Sequence, residues 1–153
     1  MSFSTKRLGS HDIDLMHGML DCFSDVFAEP ENYSTDRPDT AYLRSLLADP
    51  TFIAMVAVDD DKVVGALSAY ELKKYEQARS EIFIYDLAVR ETYRRQGIAT
   101  ALIENLKPIA LERGAWVIIV QADYGDDPAI NLYTKLGKRE EILHFDIRVD
   151  QTS

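Results

Sequence analysis

The sequence predicts an α+β domain in three layers, with a mixed central sheet flanked by helices, and three observations predict it. Apolar periodicity switches several times between the two-residue period of strands and the 3.6-residue period of helices. Residues 52–58 and 63–70 are apolar runs on either side of the acidic turn Asp59-Asp60-Asp61, the pattern of an antiparallel hairpin. Residues 115–121 are almost continuously apolar, as a strand covered on both faces is, and they follow a stretch of helical spacing.

In chain order, residues 2–8 read as a short edge strand, with Phe3 and Leu8 apolar among polar neighbours. Over residues 12–27, Ile13, Met16, Met19, Leu20, Phe23, Val26 and Phe27 recur at helical spacing behind the caps Ser10 and Asp12, which predicts an amphipathic helix. Residues 28–38 break that pattern with two prolines, Asn32, Ser34 and several acids, so a surface loop is expected, suited to a substrate lid. Asp39 caps a second helix whose stripe is Tyr42, Leu43, Leu46 and Leu47 and which Asp49-Pro50 ends. The hairpin follows, then a polar connection over residues 73–80.

From Glu81 the chain reads as strand, turn and helix. Ile82, Phe83, Ile84, Tyr85, Leu87 and Val89 are mostly β-branched or aromatic, residues 91–95 are a charged turn, and Ile98, Ala101, Leu102, Leu106, Ile109 and Ala110 fall at helical spacing. Arg113-Gly114 closes that helix, and Pro108 is expected to kink or shorten its last turn. After the strand at 115–121 comes a polar turn, 122–128, and a short helix over residues 129–136, with Ile130, Tyr133 and Leu136 on one face and Gly137 as its stop. Leu143, Phe145, Ile147 and Val149 alternate with His144, Asp146 and Arg148, which predicts a final strand.

The 153 residues suit one domain, 1–153, without repeats, and 46% hydrophobic with 28% charged residues is the composition of a globular chain. No apolar run approaches the roughly 20 residues of a membrane helix. The first residues lack the apolar core of a signal peptide, and the lone Cys22 makes no internal disulfide, so a cytoplasmic protein is expected, with Cys22 a small buried residue. A formal charge of -9, from 17 basic and 26 acidic residues, argues against nucleic acid as a partner and favours a cationic one. The acidic triplet lacks the spaced oxygen ligands of a calcium loop, so no metal is expected.

The junction Arg94-x-x-Gly97-x-Ala99 places a glycine and a small residue where a helix begins. Free N–H groups at a helix start carry the positive end of the dipole, and small residues let a diphosphate approach the backbone. Three blocks, Tyr85-Asp-Leu-Ala-Val89, Arg94-Arg-Gln-Gly-Ile-Ala-Thr100 and Asn131-Leu-Tyr-Thr-Lys-Leu-Gly137, resemble the GNAT acetyltransferases in order and spacing. More closely, residues 79–89 and 121–129, with Tyr133-Thr-Lys-Leu-Gly137 and His144-Phe-Asp146, resemble the class I aminoglycoside 3-N-acetyltransferases, the gentamicin type. That resemblance covers residues 51–146 and is looser before them. One departure is Lys138, where many GNAT chains carry an aromatic after the glycine.

The resemblance implies the GNAT acyl-CoA N-acyltransferase fold, with acetyl-CoA as co-substrate and no metal. It implies acetyl transfer to the 3-amino group of an aminoglycoside by direct attack in a ternary complex, conferring antibiotic resistance, and a homodimer. Leu87, Ala88 and Val89 would pair with the pantetheine arm, and Arg94, Arg95, Gln96, Gly97, Ile98, Ala99 and Thr100 would surround the pyrophosphate, with Asn131 and Tyr133 completing the cofactor side. Tyr133 would protonate the leaving sulfur. Asp123, at the end of the strand 115–121, is the candidate base, with Glu81, Asp86 or a water chain as alternatives. Glu81, Tyr85, Asp86, Asp123, Asp126, Asp127 and Asp146 are candidate contacts for a polycationic small-molecule substrate, although Asp126 and Asp127 equally suit helix capping. His144 is a weaker candidate beside Asp146. Two rival readings remain: a GNAT enzyme acting on a polyamine or a protein or peptide amine, and a domain that binds CoA without catalysis.

Overall fold

The computed structural model describes residues 2–28 and 36–150, in two compact units, Met1–Gln121 and Ala122–Ser153. The first unit holds β1 (Ser4–Arg7), α1 (Ile13–Phe27), α2 (Thr40–Ala48), β2 (Phe52–Asp59), β3 (Lys62–Lys73), β4 (Ser80–Val89), a 3-10 turn (Glu91–Tyr93), α3 (Ile98–Glu112) and β5 (Ala115–Val120). The second holds α4 (Asp127–Leu136). The five strands form one sheet in sequence order; the first three junctions are antiparallel and β4–β5 is parallel, so the sheet is mixed as the sequence predicts. No helix among the described residues is long and apolar enough to cross a membrane.

Local chemistry explains the elements. Asp39 accepts a hydrogen bond from the Tyr42 N–H at 2.8 Å and starts α2. Asp59 pairs with Lys62 across a two-residue loop in which Asp60 and Asp61 have φ of 49° and 68°; this is the positive-φ geometry of a tight hairpin turn, so the acidic triplet serves the turn. On one face of the sheet α1 and α2 bury Met16, Met19, Phe23, Leu43 and Leu47 against Phe52, Ala54, Val56, Ala66 and Ala88. Cys22 lies in this core, and burial pushes its thiol up to about 11, which suits an inert apolar filler. On the alternate positions of β3, α3 packs through Ile98, against Gly65. Leu102 and Leu106 continue the buried stripe of α3.

Three expectations need correction. Residues 143–149 form no strand, and no ladder among the described residues takes them in. Their alternation is real, yet a strand is defined by paired backbones, and among the described residues of the second unit there is no other strand. Of the two effects expected of Pro108, shortening does not occur: α3 continues to Glu112 before Gly114, at φ 74°, closes it. The strand at 115–121 is an edge strand of the sheet and none of its residues is fully buried, so its apolar run does not report burial on both faces. The loop predicted at 28–38 lies mostly outside the described residues.

Candidate active site

The site begins where the parallel ladder of β4 and β5 stops. Pairing runs from Ser80 opposite Ala115 to Ile84 opposite Val120, and β4 then continues to Val89 with β3 alone beside it. Among the described residues no strand pairs with the far edge of residues 85–89. A row of backbone N–H and C=O groups left this way is a template for an extended ligand with amide groups of its own.

At the same point β4 bulges. Asp86 stands opposite Ser68 and Ile84 opposite Ala69, so Tyr85 has no opposite number. In an unbroken ladder Tyr85 and Asp86 would point to opposite faces. The bulge brings both to the face carrying Ser68 and Tyr70, where the Asp86 N–H donates to Ser68 Oγ at 3.2 Å and the Tyr85 ring meets Tyr70.

Beyond Val89 the turn is tied down. The Arg90 N–H donates to the Val64 carbonyl at 2.8 Å, its Nε to the Val63 carbonyl at 2.8 Å, and its Nη1 to Asp25 at 2.5 Å. The Tyr93 hydroxyl donates to Asp59 at 2.9 Å, and Arg94 Nε folds back to the Val89 carbonyl at 3.3 Å. Arg95 and Gly97 then take the left-handed conformation, at φ 64° and 79°. The α3 ladder starts with the Ala101 N–H on the Gly97 carbonyl, and no side chain caps the helix at Gly97, so the N–H groups of Ile98, Ala99 and Thr100 have no intrahelical acceptor. Such a helix start, with Arg94 and Arg95 exposed beside it, suits a diphosphate.

One glycine holds these pieces together. Gly65 is opposite Val89 in the β3–β4 ladder, and a Cβ placed on it would stand 2.6 Å from Ile98 Cγ2. The first residue of α3 therefore rests directly on the strand beside the end of β4. A glycine inside a strand pattern is the sequence signal of such an approach.

In the second unit, the Asp126 carboxylate accepts from the Ala129 N–H at 3.3 Å and caps α4, the role that competed with substrate contact. Asp127 and Pro128 form the first turn of α4, which starts two residues before the expected 129. Tyr133 is in the middle of α4; burial first, then the negative charge of Asp126, push its hydroxyl up to about 12. Asp123 precedes the cap in the turn, its carbonyl accepting from the Asp126 N–H at 3.2 Å. His144 and Asp146 bond to each other at 2.8 Å. Asn131 is on the same helix as Tyr133.

The structure thus gathers Tyr85, Asp86, Leu87, Ala88, Val89 and the segment 94–100 at one end of β4. It does not bring Glu81 there: that residue is second in β4, where it accepts from Trp116 Nε1 at 3.1 Å and lies 3.8 Å from Lys74. Besides Gly65, sequence reasoning passed over Tyr70, which read only as a strand residue, and Tyr42, which read as part of a buried stripe and is exposed.

A mixed sheet with a parallel pair that parts beside a bulge, followed by an uncapped helix start, sets an unpaired amide edge next to an anion site. The chain belongs to the acetyltransferase (GNAT) family, matching it over residues 14–138, and enzymes of this family use acetyl-CoA as co-substrate. Among solved structures it is similar to an aminoglycoside acetyltransferase, HMB0005, from an uncultured soil metagenomic sample: 53% identity, a TM-score of 0.95, covering 98% of this chain and 100% of that one. A second soil-metagenome aminoglycoside acetyltransferase, meta-AAC0020, solved with sisomicin, shares 31% identity with a TM-score of 0.88 over 97% of each chain. Curated relatives include N-acetyltransferase 8B of Rattus norvegicus, 29% identical over 111 residues, 72% of this chain and 49% of that protein. N-alpha-acetyltransferase 30 of Schizosaccharomyces pombe is 31% identical over 85 residues, 55% of each. The chain spans about half the length of these curated relatives.

Proposed function

We propose that this chain transfers the acetyl group of acetyl-CoA to the 3-amino group of an aminoglycoside, by direct attack in a ternary complex. The observation that carries the donor half is the unpaired edge of β4 running into the uncapped start of α3. For the acceptor, support comes from the full-length similarity to two aminoglycoside acetyltransferases and from a net charge of -9, which favours a polycation.

The chemistry follows from proton bookkeeping. The acceptor arrives as an ammonium, which has no lone pair for attack. Asp123 accepts one proton, directly or through water, and passes it to solvent; the amine nitrogen then forms its bond to the acetyl carbon as the carbon–sulfur bond breaks, and Asp123 takes the second proton that the nitrogen sheds to become the amide. Charge develops on the departing sulfur, and Tyr133 donates to it. With its pKa raised to about 12, Tyr133 carries its proton throughout the physiological range. A phenol that weak stabilises the sulfur first as a hydrogen-bond donor and passes its proton only as the bond to carbon breaks, regaining one from water. Asp123→Asn is expected to lower the rate at neutral pH about a hundredfold; a wild-type rate would return the base role to Asp86 or water.

The similarity to N-alpha-acetyltransferases favours a second reading, acetylation of a peptide N-terminus. Thiol release measured with sisomicin, spermidine and a peptide panel separates the readings. Turnover of sisomicin with an acetylated 3-amino group is expected, and turnover of peptides alone would replace the proposal with the second reading.

The donor half has its own test. Gly65→Ala forces Ile98, and the start of α3 with it, away from the end of β4. The affinity for acetyl-CoA is expected to fall about tenfold, in line with the cost of overpacking a tight contact. Adding Ile98→Leu, which drops the offending methyl and keeps the volume, restores it, whereas adding Ile98→Val does not. Calorimetric titration with acetyl-CoA reads all three.

A further inference from the structure

One side chain fastens the turn that leads into α3, and a bulge in β3 is its socket. Val63 stands opposite Val58 and Gly65 opposite Ala57, so Val64 has no opposite number on β2. Consecutive carbonyls of a regular strand point to opposite edges, and a bulge breaks that alternation. Here the carbonyls of Val63 and Val64 both accept from Arg90, the first from Nε and the second from the backbone N–H, each at 2.8 Å. Helix α1 closes on the same spot, since a Cβ placed on Gly18 would stand 2.8 Å from Val63 Cγ2. About two turns further along that helix, Asp25 accepts from Arg90 Nη1 at 2.5 Å. The Arg90 side chain is only 18% exposed, so it is enclosed by these partners rather than offered to solvent.

The same hairpin holds the other end of the turn. The Tyr93 N–H donates to the Arg90 carbonyl at 2.9 Å, and its hydroxyl reaches Asp59, the residue that ends β2, at 2.9 Å. Residues 90–93 are thus pinned twice to the β2–β3 hairpin before Arg95 and Gly97 take their positive φ. Left-handed backbone is unfavourable for an arginine, and a fixed approach from the preceding residues is what holds it there. The direction of the N–H groups at the α3 start then depends on where the turn begins.

We propose that Arg90 is a positioning residue for the donor. Without touching acetyl-CoA, it seats the turn on the Val64 bulge and so aims the N–H groups of Ile98, Ala99 and Thr100 at the diphosphate. This rests on the donor site proposed above and adds to it a residue outside its lining.

The test is calorimetric titration of the full chain with acetyl-CoA and, separately, with S-acetylpantetheine, which lacks the diphosphate, alongside a thermal melt of each variant. Arg90→Leu keeps the backbone bond to Val64 and removes the side-chain bonds. It is expected to weaken acetyl-CoA about tenfold and to hold S-acetylpantetheine within about twofold of wild type. A residue that only supports the fold would lower both affinities in parallel. Arg90→Lys keeps the charge but not the planar fork that meets Val63 and Asp25 at once, so most of the loss remains. Tyr93→Phe frees the other end of the turn, keeps the ring, and weakens acetyl-CoA about threefold. Where Arg90→Leu does not melt cooperatively, Arg90→Lys and Tyr93→Phe carry the same comparison of the two donors. If the variants bind both donors like wild type or lose both in parallel, the positioning role is overturned while the donor site stands. Wild-type acetyl-CoA affinity in Arg90→Lys alone would overturn it too, by reducing Arg90 to a charge. If wild-type protein binds acetyl-CoA no more tightly than S-acetylpantetheine, the donor site fails first and takes the role of Arg90 with it.

Discussion

Tyr133→Phe is expected to lower kcat by about a hundredfold or more while leaving acetyl-CoA affinity within about twofold, the pattern of a lost proton donor. The ring stays, so the packing of α4 is kept, and only the hydroxyl that burial and Asp126 hold at a pKa of about 12 is removed. Steady-state kinetics with donor titration separate the two effects, and an unchanged kcat would remove Tyr133 as the acid. Stability provides a second readout. In the unfolded chain a tyrosine loses its proton near pH 10, whereas folded Tyr133 keeps it to about 12, so the folded state binds more protons in that window. The corresponding stability is intact below pH 10 and is lost as pH rises toward 12. The Phe variant lacks this contribution, so the fall in denaturant midpoint between pH 8 and 11, which Cys22 also drives, should be smaller for it than for the wild type.

Gly97→Val is expected to have the other large effect. A Cβ at this position meets nothing within 4 Å, so no clash is involved; the cost comes from φ of 79°, which a β-branched residue resists. Holding valine there costs about 1–2 kcal/mol, and relaxing it turns the N–H groups of Ile98, Ala99 and Thr100 away from their common direction. Acetyl-CoA affinity is expected to drop about a hundredfold, since a diphosphate depends on those groups acting together. Gly97→Asn, which tolerates the left-handed region better, falls in between. Titration with acetyl-CoA decides it: wild-type affinity in Gly97→Val would show that the anion binds elsewhere.

Local chemistry made most of the fold legible. Asp39, the Asp59–Asp61 turn, Gly97 and Gly114 each mark a boundary through hydrogen bonding or φ, and the structure puts boundaries there. What stayed hidden depends on other parts of the chain. The apolar run 115–121 cannot distinguish an edge strand from a central one, and the alternation of 143–149 carries no information about whether a partner backbone is present. The strand and helix start proposed to hold the donor were readable because they are contiguous in sequence. The contact of Gly65 with Ile98 and that of Tyr70 with Tyr85 were not, since they join β3 to α3 and to β4 across gaps in sequence. Glu81 shows the converse: it sits on the same strand at the opposite end from the bulge, bonded to Trp116.

The bulge at Tyr85 also makes β4 a ruler read from a single mark. Upstream of it, even-numbered residues such as Ile82 and Ile84 pair with the odd positions Glu71 and Ala69; downstream, Asp86 and Ala88 pair with the even positions Ser68 and Ala66. Deleting Tyr85 would make Ile84 and Asp86 consecutive while leaving them opposite Ala69 and Ser68, so the ladder would become regular with Val89 still opposite Gly65 and every other side chain on its present face. The bulge is thus one surplus residue, and a related sequence that lacks it should keep the same pairing on both sides of the gap.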